Sequence, residues 1–246
     1  MPEPQKKRPP EFIFFERYDT LTSFGFDNFE QRISSADITV KIFHILAGKN
    51  YLVEKTQMEM TVIPEQISES APFKDTIELL QIIQSLNPGI KSEFLLQKNY
   101  FETSDLSAFT ILQFDEDKEG RVRFLGSMNG RKREMLSGIL FSKRNYREIL
   151  PADSAEWALN LQKDIHLKVF VSHVCPSCPP AAIVCGALAA ISPHIHTDII
   201  DVKDFKDLAD RFSVIGLPRV VVNDDKSFVA DSGPKRLVSD IRNACE

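Results

Sequence analysis

His166-Leu167-Lys168-Val169-Phe170-Val171-Ser172-His173-Val174-Cys175-Pro176-Ser177-Cys178-Pro179 is the stretch whose reading decides the fold. Its apolar run, 167–171, reads as a buried strand that ends at Ser172, and a helix is expected over 179–191. Cys175 and Cys178 fall at the junction, one thiol in the first turn of the helical region and the other a turn behind it. That spacing is close enough to close a small disulfide ring. Unpaired N–H groups and the dipole at a helix N-terminus stabilise an anion. Cys175 is therefore expected to titrate below the value of about 8.5 for a free thiol, and the thiolate is the attacking species. Further along, Gly216-Leu217-Pro218 precedes Arg219-Val220-Val221-Val222. A proline at the head of a buried strand has no ladder donor and marks a special turn. A Cys-x-x-Cys beside a strand-helix-strand pattern, in a chain that reads as having no secretory signal, is a redox motif.

These residues carry a resemblance. The segment 164–245 resembles a thioredoxin or glutaredoxin fold, which implies Cys175 as attacking thiol, Cys178 as resolving thiol and Pro218 as the cis-proline opposite them. It also implies that Leu217 offers strand-like hydrogen bonds to a substrate backbone. The wider pattern joins Val174-Cys175-Pro176-Ser177-Cys178-Pro179 and Ile215-Gly216-Leu217-Pro218 to two Pro-x-Ile phrases, at Asn87-Pro88 and Ser192-Pro193. Over roughly 57–246 it is similar to the protein disulfide oxidoreductases with two thioredoxin-like units and to the N-terminal domain of the alkyl hydroperoxide reductase flavoprotein.

Length and charge fit this reading without demanding it. The chain has 246 residues, enough for one large or two small domains with a substantial core. Its 30 basic and 35 acidic side chains give a net charge of −5, so there is no global case for nucleic acid. The start is polar and proline-rich, and the apolar run 12–15 is far too short for a signal core. No stretch approaches the eighteen or so apolar residues of a membrane span, and the expected compartment is the cytoplasm. Four cysteines, two of them closely spaced, suit a reducing compartment with one active pair better than a disulfide scaffold.

Residues 1–10 read as a disordered tail whose Lys6-Lys7-Arg8 patch is either simply solvated, the commoner case, or a targeting or docking patch. Phe12, Phe14, Phe15, Tyr18, Phe24, Phe26 and Phe29 form an aromatic arm, either packed on the body or offered to a partner. Asp37 is expected to cap a helix running through Ala47, with a strand over 58–62 and a helix over 73–86 after it. Strands over 90–96, 108–114 and 121–125 and a helix over 129–141 complete a first unit, and the second half repeats that order. Leu86-Asn87-Pro88-Gly89-Ile90 matches Ile191-Ser192-Pro193-His194-Ile195, an offset of 105 positions. Carried back by that offset, Cys175 and Cys178 fall on Ser70 and Phe73, and the position before 108–111 is Ser107 instead of a proline. The first unit is thus expected to be a structural or partner-binding platform.

In the second half, Asp153 is expected to cap a linking helix over 154–162 whose Trp157 anchors the two units. A strand over 195–202, a short helix over 205–212, a hairpin from 219–223 to 227–230 and a helix over 234–244 follow. The helical stretch 181–191 has no charged residue, so it must be buried on most faces, between the sheet and the other unit. Cys185 on it reads as a small core residue and Cys245 as a spare, half-buried thiol. His173, two residues before Cys175, is a candidate electrostatic modulator of the thiolate or a solvent-facing strand end. His194 and His196 invite a zinc reading, but zinc needs four convergent ligands and the chain has one close Cys pair, so no metal is expected.

The sequence thus reads as an α/β protein of two tandem thioredoxin-like units with mixed central sheets flanked by helices. The divisions are a tail and arm at 1–36, a unit without the Cys pair at 37–148 and a unit with the Cys-Pro-Ser-Cys site at 149–246. The expected activity is thiol-disulfide exchange with protein disulfides through Cys175 and Cys178. The resemblance implies a peroxiredoxin as partner and a separate flavoprotein reductase, since the chain leaves no room for a flavin domain. No cofactor is expected beyond the disulfide itself and an external flavoprotein or thiol reductant. The alternative is a non-catalytic thioredoxin-like adaptor acting through its aromatic arm.

Overall fold

The computed structural model describes residues 33–34, 38–48, 71–96, 106–114 and 120–246. In chain order the strands are β1 (Val40–Gly48), β2 (Ile90–Leu96), β3 (Leu106–Phe114), β4 (Val122–Leu125), β5 (Ile165–Val171), β6 (Ile195–Asp201), β7 (Arg219–Val222) and β8 (Lys226–Val229). The helices are α1 (Ala71–Leu86), α2 (Lys132–Ile149), α3 (Ala152–Leu159), α4 (Cys178–Ile191), α5 (Lys206–Arg211) and α6 (Pro234–Ala244).

All eight strands belong to one mixed sheet, in the order β2-β1-β3-β4-β6-β5-β7-β8. Each half arranges its strands in the same way: the second lies parallel to the first, and the third and fourth follow antiparallel. The parallel pairs require crossovers, supplied by α1 and α4. The expected offset holds at both crossovers, since α1 ends at Leu86 and α4 at Ile191 while β2 starts at Ile90 and β6 at Ile195. A parallel β4–β6 pairing, Val122 to Thr197 through Leu125 to Ile200, fuses the halves into one sheet.

Two expectations are corrected. The helix expected from Asp37 through Ala47 is instead strand β1, Val40–Gly48. Ile38, Val40 and Ile42 are buried with Lys41 exposed between the last two, the alternation of a strand. Residues 49–70 separate β1 from α1, whereas only 172–177 separate β5 from α4, so the repeat offset fails ahead of α1. The strand expected at 58–62 lies outside the described residues, as do the tail and aromatic arm. Asp153 is the other correction: α3 starts at Ala152 with Pro151 at its N-cap and no side-chain cap, leaving Asp153 in the first turn. A carboxylate there still complements the helix dipole.

Among the described residues, α1, α2, α3, α4 and α6 pack on one face of the sheet in a continuous core, and α5 packs on the other. Helix α4 is buried from Cys178 to Ala190, because the sheet, α2, α3 and α6 all pack against it. The two helices interlock through glycines: a Cβ on Gly138 would lie 2.5 Å from Ile183 Cδ1, and one on Gly186 would meet Ile139 Cδ1 as closely. Each isoleucine thus fills the space that the facing glycine leaves. The orphan carbonyls at the end of α4 are met by cations of the first half, with Arg121 Nε donating to Ala189 O at 3.3 Å and Lys143 Nζ to Ala190 O at 3.0 Å. Cations suit a helix C-terminus.

On the opposite face, Arg123 of β4 grips Asp198 of β6 through two hydrogen bonds of 2.6 and 2.8 Å, and His166 Nε2 lies 2.7 Å from the same carboxylate. Burial alone would raise the Asp198 carboxyl, but the Arg123 guanidinium and His166 together hold it well below the usual carboxylate range. Trp157, expected between the units, is half-buried at the rim of the core, with the Arg242 guanidinium of α6 5.1 Å from its ring centroid.

Candidate functional site

Strand β5 delivers the chain to one end of the sheet, where 172–177 turn into α4. Cys175 N–H donates to Ser172 O at 3.2 Å and Val174 N–H to Ser172 Oγ at 3.4 Å, so the turn is fixed by its own polar groups. Cys175 and Cys178 form a disulfide with their Cα atoms 5.5 Å apart. The two sulfurs are not equivalent: Cys175 is half-buried, whereas Cys178 is wholly inaccessible as the first residue of α4. Ser177, the N-cap, makes no side-chain cap bond, and its Oγ lies 3.5 Å from Cys175 Sγ. Pro179 and Pro180 follow, residues that fit a first helical turn because they lack the N–H groups left orphaned there.

Strand β7 lies antiparallel beside β5, pairing Phe170 with Arg219, so the residues before Arg219 arrive at the same end of the sheet as the disulfide. The Leu217–Pro218 peptide bond is cis. Pro218 is buried and its carbonyl accepts from Ala230 N–H at 2.9 Å, while Leu217 packs against the cores on both faces of the sheet. His173 is half-buried, and its carbonyl accepts from Arg131 N–H of the first half at 3.2 Å.

The other candidates lie elsewhere. Cys185 is buried on α4, its thiol pushed up to about 12 by burial, and its carbonyl accepts from Thr197 Oγ1 at 2.9 Å. Cys245 is half-buried after α6, and burial raises its thiol too, against the pull of Lys163. His194 Nδ1 is 2.8 Å from Asp164 Oδ1. Among the described residues no three His, Cys, Asp or Glu side chains converge as a metal-binding set.

Two features at the site escaped the sequence reading. Val174 and Ile215 are exposed aliphatics, 70% and 94% accessible, one next to Cys175 and the other three residues before Pro218. An aliphatic residue beside each motif was the available signal. The contact of Arg131 on His173 had only a faint trace, two glycines, Gly126 and Gly130, between a strand and a helix of the half without thiols.

The thioredoxin domain family model matches residues 165–231. The chain is 27% identical to thioredoxin of Methanocaldococcus jannaschii over 79 residues, 32% of this chain and 93% of that protein. Among solved structures, a mutant of the alkylhydroperoxide reductase protein AhpF from Enterococcus faecalis superposes with a TM-score of 0.67 at 14% identity, covering 96% of this chain and 100% of that chain. The NTD_N/C domain of AhpF from the same organism gives 0.65 at 16% identity over 87% and 98% of the two chains. A protein disulfide oxidoreductase from Aeropyrum pernix gives 0.57 at 16% identity over 81% and 84%. At those identities the structural likeness is one of fold: this is a tandem thioredoxin-fold protein whose second half carries a Cys175–Cys178 disulfide.

Proposed function

We propose that the protein is a thiol-disulfide oxidoreductase that exchanges electrons with disulfides of partner proteins through Cys175 and Cys178. The observation that carries this reading is the unequal burial of the two sulfurs at the head of α4, beside the cis Leu217–Pro218 bond. In the reduced protein, Cys175 thiolate attacks one sulfur of a partner disulfide, and the partner's other sulfur leaves as a thiolate. Cys178, on losing its proton, attacks Cys175 Sγ in the mixed disulfide and expels the second partner thiolate. Two electrons pass to the partner and the Cys175–Cys178 ring closes. The ring is reopened by a thiol or flavoprotein reductant.

Leu217 and Pro218 form the wall along which an extended partner segment lies, and His173 supports the thiolate electrostatically. The first half is the platform on which this site stands. The likeness to the alkylhydroperoxide reductase protein AhpF supports a peroxiredoxin as partner, and the chain's use of cysteine supports a cytoplasmic setting. Among the described residues no helix is long and apolar enough to cross a membrane. Reduction of insulin by dithiothreitol tests the activity: catalytic amounts of the protein accelerate it, and the same amount of Cys175→Ser protein gives the uncatalysed rate. An uncatalysed rate from the unaltered protein contradicts the reading.

A further inference from the structure

Among the described residues, one loop of the first half reaches the proposed redox site. It runs from the end of β4 at Leu125 to the start of α2 at Lys132. Arg131 N–H donates to the His173 carbonyl at 3.2 Å, and Gly130 is so close that a Cβ on it would stand 2.6 Å from that same oxygen. Gly130 has φ +54°, a left-handed conformation that glycine adopts without cost. The contact bears on the turn presenting Cys175, because His173 lies between Ser172 and Cys175 and the Ser172 carbonyl takes the Cys175 N–H.

The base of the loop is pinned separately. Ser127 N–H and Oγ donate to Asp204 Oδ2 at 3.0 and 3.2 Å, and a Cβ on Gly126 would lie 2.6 Å from that oxygen. Lys132 Nζ forms a 2.8 Å ion pair with Asp201, and Asp201 is the register partner of Val171 at the end of β5. The loop is therefore held at Ser127 and Lys132, with its tip bearing on His173.

We propose that residues 126–132 of the first half are a positioning element of the redox site, holding the His173 carbonyl and through it the 172–175 turn, so that Cys175 stays at the head of α4. The inference rests on the oxidoreductase reading. A thiolate gains from a helix N-terminus only while it is held there, and a contact worth different amounts in the oxidised and reduced states shifts the equilibrium between them. Gly130 and Arg131 act through His173; they are positioning residues.

Gly130→Ala tests this, with Gly233→Ala as the matched control. Gly233 also has positive φ, +86°, but nothing lies within 4 Å of where its Cβ would stand, at the N-cap of α6. Both substitutions strain the backbone; only the first meets His173. Iodoacetamide modification of Cys175 is followed against pH in the reduced full-length proteins. Gly130→Ala is expected to move the Cys175 titration upward and slow alkylation at neutral pH by roughly threefold or more, while Gly233→Ala follows the unaltered protein. A folded Gly130→Ala protein that titrates and alkylates like the unaltered one overturns the proposal. If Gly130→Ala does not fold, Ser127→Ala removes a donor to Asp204 without adding bulk; a smaller shift in the same direction is expected, and an unchanged profile overturns the proposal equally. Insulin reduction by the unaltered and Gly233→Ala proteins separates the two claims, since its failure counts against the oxidoreductase reading and not against the loop.

Discussion

Lys132 Nζ lies 2.8 Å from Asp201 Oδ2, with 1% and 2% of the two side chains accessible, and the pair ties the start of α2 to the end of β6 across the two halves. The other Asp201 oxygen accepts from Lys203 N–H at 2.8 Å and Asp204 N–H at 3.4 Å, so the carboxylate is enclosed by donors. Such a pair holds because removing either partner leaves the other charge buried, whatever its net contribution to stability.

Lys132→Met is therefore expected to cost about 3–5 kcal/mol, since it leaves a buried carboxylate without its cation. Asp201→Asn added to it should recover much of that loss, because the unpaired charge is then gone. Urea unfolding of the two single variants and the double variant measures the coupling. Additive losses would mean that the two side chains do not stabilise one another.

The Gly138–Ile183 contact is expected to be intolerant of a single methyl. Overpacking costs about 1–3 kcal/mol, against a helix-propensity gain of about 1 kcal/mol for alanine over glycine. Gly138→Ala should thus be destabilised by up to about 2 kcal/mol. Ile183→Val removes the Cδ1 that the new methyl would strike, so the double variant should lose less than the sum of the singles. A double variant that loses the full sum of the two single losses in denaturant titration would contradict this packing.

Cys185 gives a pH dependence with a defined sign. Burial raises its thiol from the ordinary 9.0 to about 12, so above pH 9 the unfolded chain releases a proton that the folded chain retains. Its stabilising contribution is fully present below pH 9 and is lost as pH rises toward 12, by up to roughly 1.4 kcal/mol per unit. Cys185→Ala should be the less stable protein near neutrality, from lost packing, and should close the gap as pH rises through that window. Parallel stability curves for the two proteins would show that Cys185 does not titrate in this way.

The site was legible in the sequence because its signals are local. Cys175 and Cys178 sit at a strand-to-helix junction, and Pro218 heads a strand; both placements follow from a few adjacent residues. The double-sided burial of α4 was legible too, since a helix without charge has no face to offer to water. Strand β1 was not, because Ile38, Ile42, Ile45 and Leu46 recur at helical spacing, and the alternation of buried Val40 and Ile42 about exposed Lys41 is too short a pattern to outweigh it. Asp153 failed as a cap because Pro151, which pre-sets its own φ, starts the helix earlier. The clamp of Arg131 on His173 joins segments of different halves through a main-chain donor and acceptor, and its mark on residue type is no more than the glycine at 130.

The central claim, that Cys175 attacks and Cys178 resolves, is tested most directly by comparing what the two serine variants capture from a mixture with a disulfide-bonded partner protein. The half-buried Cys175 can reach a partner's sulfur, whereas Cys178 is inaccessible behind it, and exchange proceeds through a mixed disulfide. Cys178→Ser is expected to accumulate a covalent adduct through Cys175 that dithiothreitol dissolves, and Cys175→Ser to capture nothing; neither variant should turn over. Capture by Cys175→Ser and not by Cys178→Ser would reverse the two roles, and capture by neither would contradict the oxidoreductase account itself.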